Sequence, residues 1–206
     1  MNLRRLFSEY GMPLAIRTDN GTPFASNALA GLSKLSVWWI KLGIKLERIE
    51  PGKPQQNGRH ERMHKTLKEE TALPPRSSLE AQQKAFREFQ KEFNYLRPHE
   101  GIQNSFPAKY YQKSKRKFPK RIVKASYPTN IIVGEVNDIG NLHFEGHRIF
   151  LSSALALEEV GLEEISDRHV KIHFYGVSLG VIDLYTGKLL QFKNPMPSSL
   201  TSESGF

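Results

Sequence analysis

Up to about residue 112 the apolar residues recur mainly at helical spacing, and beyond about 128 they alternate. Leu3, Leu6, Phe7 and Tyr10 predict the last turns of a helix over residues 1–10, ended by Gly11 and Pro13. Leu14 to Thr18 reads as a short strand. Leu32, Leu35, Trp39 and Leu42 then predict a helix from about Ala25 to Leu42, stopped by Gly43, with a strand from Ile44 to Ile49. Pro51, Gly52 and Pro54 forbid a helix until about Asn57, an N-cap residue. Ser77 and Glu80 form a capping box for a helix whose inner face is Ala85, Phe86, Phe89 and Phe93, and Arg97-Pro98 ends it. The alternating half predicts strands at Ile131–Val136, Leu142–Phe144, Arg148–Leu151, Val170–Phe174, Val177–Leu184 and Leu189–Phe192. Asp138-Ile139-Gly140, Glu145-Gly146, Tyr175-Gly176 and Thr186-Gly187 supply the turns, as in a small antiparallel barrel or sandwich.

Charge divides the chain at nearly the same place. Residues 1–125 carry 25 Lys and Arg against 11 Asp and Glu, a net +14, whereas residues 126–206 carry 5 against 10, a net −5. The first part has the electrostatics of a nucleic-acid partner, and the second does not. Seven cations between Lys113 and Lys124 mark a boundary. The expected division is therefore 1–112, a basic linker 113–127, a β domain 128–192 and a loose Pro- and Ser-rich tail 193–206. The absence of cysteine excludes disulfides and thiolate zinc sites and suits a reducing cytoplasm. No apolar run approaches the ~18 residues of a membrane span.

Two carboxylates occupy marked positions. Asp19 follows the predicted strand and enters the turn Asn20-Gly21, where ligands of open α/β sheets gather. Glu61 falls in the first turn of the next helix, where the helix dipole favours its ionised, metal-binding form. Lys65 and Lys68 follow on the same face, and Arg59 adds a cation beside it. Acidic residues from separate elements in a basic chain suit two-metal phosphodiester chemistry: carboxylates hold Mg²⁺ while cations hold phosphates. Lys115, Arg116 and Lys117 extend the basic set. A rival pattern is His60-Glu61-Arg62-Met63-His64, the H-E-x-x-H arrangement of zinc metalloproteases. It sits at a helix start behind a polar turn, away from a buried cleft. Trp38 and Trp39 read as core residues, and His99 as a loop histidine or a nucleic-acid contact.

With these residues in place, residues 14–112 resemble the back half of a retroviral-integrase-type catalytic core, as found in transposases of bacterial insertion sequences. The carriers are Arg17-Thr18-Asp19-Asn20-Gly21-Thr22-Pro23-Phe24, Trp38-Trp39, Gly43-Ile44, Pro51 through Gly58, Glu61 through Lys68, Phe93 through His99, and Pro107 through Tyr111. The resemblance implies a partial ribonuclease-H-like α/β core followed by a small antiparallel β-barrel, and DNA integration or transposition by metal-dependent strand transfer. It implies Mg²⁺ or Mn²⁺ as cofactor and, as partners, DNA (transposon ends and target) and an intact transposase in a homo-oligomer. It also implies a bacterial, nucleoid-associated location. Asp19 and Glu61, with 41 residues between them, take the second and third places of the family's Asp-Asp-Glu triad. The first place belongs on an upstream strand hairpin. Glu9 is the only acid before Asp19 and lies on a predicted helix, so the resemblance implies a truncated chain, inactive alone. A non-catalytic DNA-binding remnant is the alternative, and a zinc metalloprotease through His60, Glu61 and His64 is the second.

Overall fold

Beyond residue 128 the alternating apolar residues build an antiparallel sheet. The computed structural model describes residues 3–19, 21, 23–24, 29–50, 53, 55 and 58–197, of which 191–197 are described by backbone alone. Strands β3 (Ile132–Glu135), β6 (Glu159–Ser166), β7 (His169–Phe174), β8 (Val177–Asp183) and β9 (Lys188–Pro197) form one five-stranded sheet in the order β3-β6-β7-β8-β9. Strands β4 (Asn141–Phe144) and β5 (His147–Phe150) form a separate hairpin. Its turn pair, Glu145-Gly146, takes left-handed φ values of 46° and 73°, and Tyr175-Gly176 does the same between β7 and β8 at 49° and 76°. Two consecutive left-handed residues match the right-handed twist of the flanking strands.

Strand β6 is the largest departure from the sequence expectation. Its alternation is carried only by Val160 and Leu162, because Glu164 takes the next position on their face and Glu159 and Glu163 make the segment look polar. Both apolar residues are fully buried. The ring of Tyr127 lies over Gly161, where an added Cβ would come within 2.5 Å of it. Burial pushes the Tyr127 phenol up to about 12 while its hydroxyl donates to the Glu159 carbonyl at 3.2 Å. Strand β9 is longer than expected and pairs with β8 through Pro197, past the onset of the Pro- and Ser-rich composition.

A parallel pair lies earlier in the chain. Strand β1 (Ala15–Thr18) pairs with β2 (Lys45–Arg48), Ile16 opposite Leu46. Helix α2 (Lys34–Lys41) lies between them in sequence. It is shorter than expected. Ser33 caps it, accepting from the Ser36 amide at 3.2 Å, and Gly31 before it holds φ +66°. A side chain at Gly31 would meet the Arg48 guanidinium, which donates to the Gly31 carbonyl at 2.6 Å. Residues 25–28, where the longer helix was expected to begin, and the Asn57 cap lie outside the described residues.

The chain is mixed α/β and divides into two compact units that do not follow its linear order. The sheet unit takes 13–48 and 119–206, and the helical unit takes 1–12 and 49–118. In the sheet unit, Leu29, Leu32, Val37 and Ile40 enter the same apolar core as Leu142, Leu162, Ile172 and Ile182. Each fully buried aliphatic side chain contributes about 1.5–3 kcal/mol, so this core joins the β1–α2–β2 segment to the sheet. Lys41 adds an ion pair to Glu158 at 2.5 Å.

The helical unit holds α1 (Leu3–Tyr10), α3 (Gly58–Thr71) and α4 (Leu79–Tyr95). Helix α4 begins one residue later than the capping box suggested: Ser78, not Ser77, accepts from the Ala81 amide at 3.1 Å. Phe89 is its buried residue and stacks on Phe93 with centroids 5.4 Å apart. Phe7 of α1 is buried, with Phe118 at 6.3 Å.

Candidate functional site

Asp19 directly follows β1 and is exposed. Its Oδ1 accepts the Gly21 amide at 3.1 Å, an Asx-type turn that fixes one carboxylate oxygen. Two residues earlier, Arg17 pairs with Glu47 across the β1–β2 register at 3.1 Å. Asn20 and Thr22 lie outside the described residues.

Glu61 lies in the first turn of α3, as its sequence position implies, and is exposed. Asp19 belongs to the sheet unit and Glu61 to the helical unit. Arg59, Lys65 and Lys68 are exposed on α3, with Lys65 3.9 Å from Glu69, too long and too open for a strong pair. Lys115 and Lys117 are exposed and Arg116 is half-buried. Their backbone is anchored: Ser114 N donates to the Tyr10 carbonyl at 3.0 Å and Met12 N to the Arg116 carbonyl at 2.7 Å. Residues 113–118, expected as part of a linker, thus lie against the end of α1 in the helical unit.

His60 and His64 do meet, with their Nε2 atoms 3.0 Å apart on the outside of α3. Both are exposed, and among the described residues no third His, Cys, Asp or Glu completes a metal group with them. A catalytic zinc site needs three protein ligands in a shaped cavity, and the described residues bring together two exposed histidines here. Trp39 is buried and stacks on Phe24 at 5.9 Å, a core role as expected. His99 is also structural: a ring nitrogen lies 3.0 Å from the Phe93 carbonyl and the ring sits edge-on to Phe93.

Arg97, a helix end by sequence, ties α3 to the end of α4. It donates to both carboxylate oxygens of Glu70 at 2.8 Å and to Glu92 at 2.6 Å, with its guanidinium 5.7 Å from the Phe89 ring centre. A planar fork on a carboxylate is a strong pairing that lysine does not reproduce. The Arg97 hydrogen bonds hold the Glu70 carboxyl below its ordinary value. A depressed carboxylate stabilises the fold above its ordinary pKa, and that stabilisation is lost as pH falls through the lower folded value. Arg97→Ala should therefore cost about 1–2 kcal/mol at neutral pH. The difference in Tm from the parent chain should narrow below about pH 4. A gap independent of pH would assign the loss to packing alone.

Residues 42–107 match the family model described as integrase core domain. An insertion element IS476 uncharacterized 39.2 kDa protein of Xanthomonas euvesicatoria is 31% identical over 101 residues, 48% of this chain and 28% of that protein. The Pol polyprotein of Radiation murine leukemia virus (strain Kaplan) is 37% identical over 67 residues, 32% of this chain and 10% of the polyprotein. Among solved structures, a chain of the simian T-cell lymphotropic virus intasome in complex with PP2A regulatory subunit B56 gamma aligns at a TM-score of 0.40 and 17% identity, over 84% of this chain and 59% of that one. The chain thus spans well under a third of the two sequence relatives' lengths. On the family match and these relatives, residues 42–107 are similar to an integrase core domain, and the chain is integrase-like in that stretch.

Proposed function

We propose that this chain acts on DNA in integration or transposition, by metal-dependent strand transfer. The observation that carries the reading is Glu61, an exposed first-turn carboxylate on the cationic helix α3, inside the segment that matches the integrase core. Asp19 is its companion by motif. On this reading β1 and β2 are strands of a ribonuclease-H-like core and β3–β9 correspond to the small barrel that follows it. Transposon ends and target DNA are the substrates, and further copies of an intact transposase are the partners.

Asp19 and Glu61 are both exposed and offer oxygen donors, the chemistry that Mg²⁺ or Mn²⁺ takes. Each carboxylate is the donor type such an ion takes, and on this proposal the two would hold it. When bound, the metal supplies activation of the attacking oxygen and charge neutralisation at the leaving oxygen. The chain's own part is positional. The Asx turn orients the Asp19 carboxylate, Glu61 presents its own from the first turn of α3, and Arg59, Lys65 and Lys68 hold phosphates. Lys115, Arg116 and Lys117 extend that contact along the backbone of the DNA.

The test is DNA binding as a function of salt. Each phosphate contact releases condensed counterions, so affinity should fall steeply with salt and depend little on sequence. Lys65→Ala with Lys68→Ala should weaken binding similarly for all sequences and flatten the log–log salt slope by roughly two units. An unchanged slope would move the contacts to Lys115, Arg116 and Lys117. Loss of neither affinity nor slope in a variant lacking all six cations, Arg59 included, would remove the reading.

A further inference from the structure

The helical unit carries a second surface that the phosphate contacts above do not use, apart from Arg59. A groove of about 940 Å³ runs between α3 and the segment after α4. It is lined by Arg59, Arg62 and Arg97 together with Phe93, Tyr110 and Tyr111. A second groove of about 630 Å³ is lined by Arg87, Lys91 and Lys113 with Tyr10, Tyr95 and Tyr111. Pro107 and Tyr111 line both, so the two grooves meet along the Pro107–Tyr111 ridge.

The chemistry of this track is one-sided. Arg59, Arg62, Arg87 and Lys91 are exposed, and no ion pair to them is formed among the described residues. Arg97 is already neutralised by Glu70 and Glu92, and Glu100 is the acid that lines the first groove. Between the cations stand rings that a folded protein ordinarily covers. Tyr95, Tyr110 and Tyr111 are 59%, 55% and 56% exposed. Lys109 and Lys113 flank them, 6.0 Å from the Tyr110 ring centre and 5.5 Å from that of Tyr10. Unpaired cations call for an anion, and exposed rings between them call for flat apolar faces at intervals along it. A duplex satisfies only the first demand, because its base faces are stacked inside. An unpaired strand satisfies both.

We propose that this surface binds single-stranded DNA, with bases stacked on Tyr95, Tyr110 and Tyr111 and phosphates held by Arg59, Arg62, Arg87 and Lys91. The assignment rests on the proposed action on DNA and deepens it. It gives the helical unit a place for a strand that has left the duplex, as at a frayed or nicked end.

The experiment compares fluorescein-labelled oligothymidylate with a blunt duplex of equal length, using the full 206-residue chain without divalent metal. The parent chain should bind the single strand several-fold more tightly than the duplex. Tyr110→Ala with Tyr111→Ala should lower single-strand affinity at least about tenfold, since each stacked base is worth about that much or more, and leave duplex affinity within about threefold. Tyr110→Phe with Tyr111→Phe keeps both rings and should restore the preference, which separates stacking from misfolding. Arg87→Glu with Lys91→Glu, on the exposed side of α4, should also lower single-strand affinity. In addition, 5-iodouracil in the oligonucleotide should photo-crosslink to Tyr95, Tyr110 or Tyr111.

Equal loss on duplex and single strand in the alanine pair, or no loss on either, overturns the inference and leaves the proposed function standing. Displacement by polyglutamate as effective as by oligothymidylate overturns it in favour of a general polyanion patch. Tighter binding of oligouridylate than of oligothymidylate overturns the DNA assignment in favour of RNA. Absence of binding to every nucleic acid overturns both readings together.

Discussion

Leu162→Ala should destabilise the sheet unit by about 2–5 kcal/mol, the cost of emptying a fully buried leucine site that strands on both sides keep from collapsing. Leu162 is fully buried on β6, which pairs with β3 on one side and β7 on the other. The affected region should be wider than the sheet. Leu32, Val37 and Ile40 share the core with Leu162, so opening that core should also expose α2. Native-state hydrogen exchange is the measurement. Amides of α2 and of β6–β8 should lose protection together and by similar free energies, because they belong to one cooperative unit. Retained protection in α2 beside a weakened sheet would show that residues 13–48 fold on a core of their own. Glu159→Ala makes a useful contrast. Its carboxylate pairs with Lys124 at the rim, and so exposed a pair adds little to stability.

This shared core also explains what was and was not legible in the sequence. Local signals read correctly. Glu145-Gly146 and Tyr175-Gly176 each occupy a left-handed hairpin turn, and Phe89 and Phe93 face inward from α4. Asp19 after a strand and Glu61 in a first helical turn were visible for the same reason: each depends on a few neighbouring residues. Strand β6 escaped because Glu164 stands where the Val160–Leu162 alternation would continue, and the space beside Gly161 is filled by Tyr127, more than thirty residues earlier. Helix α2 is shorter than its apolar spacing implies, because that spacing continues back through Leu32 although Ser33 caps the helix after it. Non-local partners stayed hidden. Nothing near Leu32 or Ile40 announces the sheet they pack with. Arg97 looks like the end of a helix until Glu70 is seen 2.8 Å away. The two grooves that meet at Tyr111 need residues from α1, α3, α4 and the segment after them, so no window of sequence contains them.

Neutralising either motif carboxylate should remove metal-dependent strand cleavage. If Asp19 and Glu61 hold the ions, each stabilises charge worth several kcal/mol in the transition state, so Asp19→Asn or Glu61→Gln should slow nicking by about 10³-fold or more. Their effects on DNA binding without metal should be small and opposite in sign to those of the lysines, since removing a negative charge beside phosphates relieves repulsion. The appropriate assay is nicking of supercoiled plasmid with Mg²⁺ or Mn²⁺. Two ions about 4 Å apart need more carboxylate oxygens than Asp19 and Glu61 supply. The 206-residue chain alone is therefore expected to leave the plasmid intact, and to nick it when assembled with a segment that contributes a further Asp. Only in that assembly should the two variants differ from the parent chain. Robust nicking by the chain alone, lost in both Asp19→Asn and Glu61→Gln, would show that another of its own groups completes the site. Glu9, exposed on α1, is then the first residue to replace. Nicking by the assembly that survives both substitutions would instead separate the chemistry from the integrase-type motif and leave these cationic surfaces as a DNA-binding device without a catalytic role.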